Sequence, residues 1–252
     1  MSGMPDGQHD VDKIIAEMEE RSYCIIPSVI SPEKADEARA ILEGLLEAEA
    51  TDASRAARTQ RVGGIAVKHP IFVELMAHPL IVAIWKKYLD EDVICSTWTA
   101  NTSYPGFGTY KWHPDFPFQW LNYPWPDTPV SGQTIWLLND FSEENGGTGI
   151  MPGSHRKGHR PPQDMVAKWH PDGEILTGVR GSVMVYHGAT WHTARPNNSE
   201  EPRSALLGMY TRPCYTTQED MLTQLRFIAE PSDIVQQLMG AKRRQPVIIA
   251  NR

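Results

Sequence analysis

The sequence predicts a mainly β fold with flanking helices: a sandwich or barrel of short strands over about residues 91–213, a helical part over about 10–90 and helices over about 218–240. Three observations lead there. From Val93 onward, short runs rich in β-branched and aromatic residues are separated by Gly, Pro, Asn and Asp, which is the punctuation of a β domain. Before and after that region, apolar residues recur at spacings of three and four, the period of a helix with one buried face. The chain has 252 residues, 40% of them hydrophobic and 22% charged, an ordinary globular composition at a length that one β-type core can organise. A single domain spanning 1–252 is therefore expected.

Taken in order, Val11, Ile14, Ile15 and Met18 mark a short amphipathic helix that ends before Tyr23, and Tyr23–Ile26 reads as a brief strand. Ser31-Pro32-Glu33 supplies an N-cap followed by proline at the first helical position, and Ala35, Ala38, Ile41, Leu42, Leu45 and Leu46 form one apolar stripe behind it. Pro70–Leu89 reads as helix broken at Pro79, because proline lacks a backbone donor and disfavours helix at the residue before it. The strands then follow in VICSTWTANTSY, GQTIWLLND, GTGIM, EILTGV, GSVMVYHG and RSALLGMYT. Phe116–Pro129 and Ser154–Pro171 are too long for hairpin turns and read as functional loops or lids. After Gln218, Met221, Leu222, Leu225 and Ile228 return to helical spacing, and Ile234, Val235 and Leu238 continue beyond a break at Pro231.

Composition also excludes partners. A net charge of −7, with no basic patch able to neutralise a phosphate backbone, argues against nucleic acid. Cys24, Cys95 and Cys214 are far apart with no paired spacing, so neither a disulfide framework nor a structural zinc site is expected, and a reducing compartment is the natural home. With a polar, acidic start and no apolar run of membrane-spanning length, the sequence predicts a cytoplasmic protein without a membrane partner. Nothing in it fixes the oligomeric state.

One constellation stands out for its chemistry. His113-Pro114-Asp115 places an imidazole and a carboxylate two residues apart, so in extended chain both side chains point the same way. His192 offers a third ligand, and two His with one carboxylate on one face of an octahedron is the arrangement of non-haem Fe(II) oxygenases. An HxD pair alone is weak in a chain with nine His. Arg203 strengthens it, standing eleven residues after His192 on an alternating strand where a guanidinium can pair with a carboxylate.

These residues resemble a known family when read with their neighbours: Trp112-His113-Pro114-Asp115, Thr134 to Asp140 (TIWLLND), Glu144-Asn145-Gly146-Gly147, Pro152-Gly153-Ser154-His155, and Gly181-Ser182, His187-Gly188, His192, Asn197, Ser199 and Pro202-Arg203. From about Tyr23 to Tyr210 the chain is similar to the phytanoyl-CoA dioxygenase family of Fe(II)/2-oxoglutarate-dependent oxygenases. The resemblance implies a double-stranded β-helix (jelly-roll, cupin-like) core, with Fe(II), 2-oxoglutarate and O2 as cofactors and co-substrates. It implies His113, Asp115 and His192 as the catalytic iron ligands, Arg203 as partner of the distal carboxylate of 2-oxoglutarate, and Trp136 beside that co-substrate. Trp136 reads equally well as core. Two departures matter: Pro114 stands where the family commonly has Gln, and Ala194 leaves open a hydroxyl contact that Thr134 or Thr193 is available to supply.

Because Asp115 is present, the resemblance implies hydroxylation or another oxidation begun at a C–H bond, since related halogenases replace that carboxylate with a small residue. For the substrate, Trp112, Phe116, Phe118, Trp120, Tyr123 and Trp125 suggest an aromatic-walled pocket or lid for a small, partly apolar molecule. Arg55, Arg58, Arg61 and Lys68 read either as a solvated face or as contacts to an anionic substrate. A second class stays open: a catalytically silent β-helix protein that binds a metal and a small ligand or a partner chain.

Overall fold

The computed structural model describes residues 9–242. In chain order it contains α1 (Val11–Arg21), β1 (Tyr23–Ile26), α2 (Pro32–Ala48), α3 (Asp52–Ala57), β2 (Thr59–Val62), α4 (Pro70–Met76), α5 (Pro79–Tyr88), β3 (Ile94–Ser103), β4 (Ser131–Leu137), β5 (Thr148–Ile150), β6 (Glu174–Leu176), β7 (Val183–His187), β8 (His192–Thr193), β9 (Arg203–Thr211), α6 (Met221–Leu225) and α7 (Asp233–Leu238). The ends of the expected 1–252 span lie outside the described residues.

Local chemistry accounts for the helices. Asp10 caps α1 by accepting from the amides of Asp12 and Lys13, and the Ser31 side chain accepts from Lys34 ahead of Pro32 at the start of α2. The helix expected over Pro70–Leu89 is two, α4 and α5, each opened by a proline at its first turn. The tail helix is shorter than its apolar spacing implies: α6 ends at Leu225, and Leu222 is exposed rather than core.

The strands pair antiparallel in two sheets facing each other, the double-stranded β-helix that the sequence implied. The larger runs β1-β7-β4-β9-β3-β2 and the smaller β6-β5-β8. The helical part of the chain thus donates both edges of the larger sheet, β1 as expected and β2 not. The sequence of β2, TQRV, is too short and polar to announce itself, and it is held by its register on β3, Arg61 opposite Asn101.

Strand alternation divides the larger sheet into two faces. One face carries Trp98, Ala100, Trp136, Val183, Val185, Leu206 and Tyr210 into the main core with α1, α2, α4 and α5. The other carries Ile135, Leu137, Met184, Tyr186 and Ala205 toward Ile150 and Leu176 of the smaller sheet. Glycine in two strands makes room for indoles on the helix face. A Cβ on Gly132 would stand 2.1 Å from the Trp85 ring, and one on Gly208 would stand 2.6 Å from Trp98. The Trp85 ring lies in the space over Gly132, stacks on Tyr210 and donates its Nε1–H to the Thr134 hydroxyl at 2.8 Å. The tail is fastened by Glu219, whose carboxylate accepts from the Trp98 amide at 2.6 Å, beside the bulge between Cys95 and Thr97, and from the Gly64 amide at 2.7 Å. Cys24, Cys95 and Cys214 are free, and among the described residues no helix is long and apolar enough to cross a membrane.

Two outcomes are expected. Gly132→Val forces the Trp85 ring of α5 off β4 and lowers stability by about 1–3 kcal/mol, read as a fall in thermal midpoint of several degrees; an unchanged midpoint contradicts this packing. His187, on the helix face of β7, is pushed from 6.5 down to about 3, chiefly by burial and then by His155. Between those values the unfolded chain binds more protons, so stability falls as pH drops below 6.5, by about 1.4 kcal/mol per pH unit for this group. Chemical denaturation of the wild type and of His187→Asn between pH 6.5 and 4.5 checks this: the variant should show the shallower slope.

Candidate metal centre

Three short backbone pairings bring the candidate ligands together. His113 and His192 form an isolated antiparallel bridge, each amide donating to the other's carbonyl at 3.0 Å. The Asp115 amide donates to the Gly188 carbonyl at 2.8 Å, in the turn between β7 and β8. That turn sits against β4, where Ser131 Oγ lies so close that a Cβ on Gly188 would stand 2.0 Å from it. The Ser131 hydroxyl in turn donates to the Phe116 carbonyl at 2.6 Å, anchoring the chain just past Asp115.

With the backbone fixed, the rings are oriented by their far nitrogens. His113 Nδ1 lies 2.6 Å from the Lys111 carbonyl and His192 Nδ1 lies 3.1 Å from the Thr190 carbonyl, so in each the proton sits on Nδ1 and the Nε2 lone pair is free. His192 Nε2 is 3.6 Å from Asp115 Oδ2, and one ligand atom from each of His113, Asp115 and His192 lies within 4.8 Å of the others. Burial, followed by the nearby His192, lowers His113 from 6.5 to about 4, which keeps its imidazole neutral and able to donate at physiological pH. The Tyr186 hydroxyl donates to Asp115 Oδ2 at 3.3 Å, and its ring lies 4.8 Å from that of His192. Burial and the adjacent Asp115 hold this phenol well above its ordinary value, so it stays a donor. Two imidazoles and one carboxylate, each with a fixed orientation, fit a six-coordinate ferrous ion and leave half of its shell to other ligands.

Arg203 lines the same cavity from β9. It is 6% exposed, donates from Nη2 to its cross-strand partner Ser103 at 3.0 Å, lies over the Phe141 ring at 4.4 Å, and has no partner at Nε. Burial, with a smaller contribution from Arg195, lowers it from 12.5 to about 10. Among the described residues no carboxylate forms an ion pair with it. A buried cation with an open donor is suited to an incoming anion.

A sequence match decides the family. The description of the phytanoyl-CoA dioxygenase (PhyH) family matches residues 18–205, most of the chain. The chain belongs to the phytanoyl-CoA dioxygenase family of Fe(II)/2-oxoglutarate-dependent oxygenases. Relatives include a dioxygenase (af480) of Aspergillus fumigatus, 26% identical over 79% of this chain and 66% of the relative. Another is a dioxygenase (andF) of Emericella variicolor, 32% identical over 54% of this chain and 47% of its own length. The chain therefore spans less than two thirds of these relatives. Among solved structures, HygX from Streptomyces hygroscopicus with nickel, 2-oxoglutarate and hygromycin B bound superposes with a TM-score of 0.69 at 15% identity, covering 82% of this chain and 89% of that one. The epimerase SnoN in complex with Fe3+, alpha ketoglutarate and nogalamycin RO gives 0.65 at 18%, covering 81% and 84%. At these identities the likeness is one of fold, and it is the fold of the PhyH chain described above.

Not every expected site residue joins the PhyH centre. Thr134 and Trp136 occupy even positions of β4 and point to the helix face, while Gln133 and Ile135 line the metal cavity. The Thr134 hydroxyl accepts from Trp85, and Trp136 packs on His78 at 5.4 Å, so the expectation that they touch a co-substrate is corrected by strand parity. Thr193 is also committed, accepting from the Lys111 amide at 2.7 Å and donating to the Ala194 carbonyl at 2.9 Å. The aromatic residues after Trp112 do not wall the cavity either. Phe118 and Trp125 pack with Val130 and Ala189, Trp112 packs with Met151 and Trp191, and Trp120 and Tyr123 are exposed. Sequence reasoning missed Tyr186, Gln133, Asn101 and Ser103; the inward alternation of GSVMVYHG was the available signal for Tyr186.

Metal binding to the folded chain should raise the midpoint of thermal unfolding by mass action, by an amount equivalent to about 2.7 kcal/mol at a hundredfold excess over Kd. Mn(II) titration followed by thermal unfolding checks the ligand set: Asp115→Ala and His192→Ala should lose the shift while unfolding cooperatively, and a retained shift in both contradicts the assignment.

Proposed function

We propose that the protein is an oxygenase that hydroxylates a C–H bond of a small molecule, using 2-oxoglutarate and O2 and releasing succinate and CO2. The observation carrying this reading is the meeting of His113, Asp115 and His192 in one cavity with the buried guanidinium of Arg203, which no carboxylate among the described residues pairs and whose Nε has no partner there. A bound ferrous ion supplies dioxygen activation, coupled to oxidative decarboxylation of 2-oxoglutarate and oxidation of the substrate.

The chain's own residues do the rest. Arg203 binds the distal carboxylate of 2-oxoglutarate, with Ser103 holding the guanidinium in place and Phe141 shielding it from water. Ile135, Ala205 and Leu207 line the same cavity and offer the co-substrate's carbon chain an apolar bed. The carbonyls of Lys111 and Thr190 keep both imidazoles in the tautomer that presents Nε2, and Tyr186 steadies the Asp115 carboxylate. The carboxylate at position 115 favours hydroxylation over halogenation, because it fills the position that a halide needs.

Anaerobic protein with Fe(II) and 2-oxoglutarate should develop a weak visible charge-transfer band, and admission of oxygen should release succinate. Silence in both assays favours a β-helix protein that binds ligands without turning them over. Arg203→Ala should raise the 2-oxoglutarate requirement about 30-fold or more, from loss of a buried charge-assisted pair worth about 2–5 kcal/mol. An unchanged requirement removes Arg203 from this role.

A further inference from the structure

The two long segments between the strands, Phe116–Pro129 and Ser154–Pro171, meet over a second cavity that the metal chemistry does not use. It measures about 380 Å3 and lies on the other side of the larger sheet. Adjacent positions of β7 face opposite ways, so Tyr186 lines the metal cavity and His187 lines this one. Trp125 reaches it from the first segment, His155 and Arg156 from the second, and Tyr88 from the end of α5.

The protonation of His187 decides what the cavity can hold. Its Nδ1 accepts from the Ala189 amide at 2.9 Å, so the ring proton sits on Nε2, and no group among the described residues accepts it. This is the reverse of His113 and His192, whose Nδ1 atoms face carbonyls and leave Nε2 as a lone pair. The His155 ring lies only 5.2 Å from that of His187, yet a histidine held in this tautomer is a hydrogen-bond donor and not a metal ligand. Other donors stand beside it. The Tyr88 hydroxyl has no partner among the described residues, and the Arg156 guanidinium donates to the Glu19 carbonyl but meets no carboxylate. Trp125 Nε1 and His155 Nδ1 are buried without partners, so this wall of the cavity carries more polar capacity than the protein itself satisfies.

The opposite sign is present as well. The exposed side chains of Glu19 and Asp127 line the cavity, and neither forms an ion pair among the described residues. The charges of Glu19 and Arg156 both act on the Tyr88 hydroxyl, which places them close to it. A plain carboxylic acid would satisfy the donors and add a third negative charge to the two already there. A plain amine would meet Glu19 and Asp127 and leave the donors unmet. We propose that this cavity is a second ligand site and that it takes a small zwitterion of amino-acid size, whose carboxylate accepts from His187 Nε2, the Tyr88 hydroxyl and Arg156 while its cationic nitrogen meets Glu19 and Asp127. The size agrees, since the volume is at the small end of the roughly 300–1,000 Å3 of ligand pockets. The site lies apart from the oxidation chemistry, takes no part in bond making and does not depend on the oxygenase reading.

The test uses 15N-labelled protein loaded with Zn(II) and 2-oxoglutarate, so that the metal cavity is filled and no turnover occurs. The indole N–H of Trp125 and the ring nitrogens of His187, identified by their loss in Trp125→Phe and His187→Asn, report on the second cavity. Before any addition, His187 should show its proton on Nε2. Glycine, β-alanine and 4-aminobutyrate, which hold the two charges at increasing separation, are then titrated beside butyrate and butylamine, which each keep one. At least one zwitterion should move both reporters and bind about tenfold or more tightly than the acid and the amine, the range of a charge-assisted contact. Arg156→Gln, and separately Glu19→Gln with Asp127→Asn, should each weaken that zwitterion about tenfold while the thermal midpoint stays within a degree or two. A proton found on His187 Nδ1, no binding of any probe, or an acid or amine that binds as tightly as every zwitterion overturns the proposal. Shifts confined to residues of the metal cavity, or a preference that survives both sets of substitutions, overturn it equally.

Discussion

The reciprocal backbone pairing of His113 with His192 is the constraint on which the site depends. These residues are 79 positions apart in sequence, on an irregular loop and a two-residue strand, neither of which is stable alone. Two hydrogen bonds at 3.0 Å fix them side by side, and the Asp115 amide is fixed to Gly188 in the same turn. The three ligand side chains are oriented from that point: the carbonyls of Lys111 and Thr190 set the tautomers, and Tyr186, brought in by β7, steadies the carboxylate. A metal centre thus assembled needs little reorganisation on binding, because its donors are already desolvated and aimed.

The larger sheet explains how such a centre stays rigid. Its helix face is filled by fully buried aromatic residues, Trp85, Trp98, Trp136 and Tyr210 among them, and two strand glycines let indoles lie flat on the backbone. That face carries no chemistry, and its packing holds β4, β7 and β9 in register so that the opposite face can carry a buried cation and a phenol without collapse. On that opposite face Arg203 is buried over Phe141 without a carboxylate partner among the described residues, and this uncompensated charge is the source of the anion affinity proposed for the residue.

Legibility in the sequence followed the kind of signal each feature gives. Caps and breakers were readable at Ser31-Pro32 and at Pro79, because those residues act through their own backbone. The strand runs after Val93 were readable from composition, and the convergence of His113, Asp115 and His192 from spacing together with family resemblance. Strand β2 was not, since TQRV carries no apolar alternation and exists only by pairing with β3. Thr134 and Trp136 were placed on the wrong face because a strand gives parity but not sign; the sign is set by which neighbours are buried where, and here Trp85 claims the even positions of β4. The aromatic residues of Phe116–Pro129 were legible as a cluster but not in their target, which is the packing of their own loop. Arg61 could be separated from Arg55 and Arg58 only once the register put it on the cavity side.

The most direct measurement is the position of a bound divalent ion in crystals soaked anaerobically with Mn(II), located by its anomalous scattering. The account requires a single strong peak at coordination distance from Nε2 of His113, Nε2 of His192 and a carboxylate oxygen of Asp115. A peak that omits any one of these three, or that lies outside the cavity shared with Arg203, would contradict it.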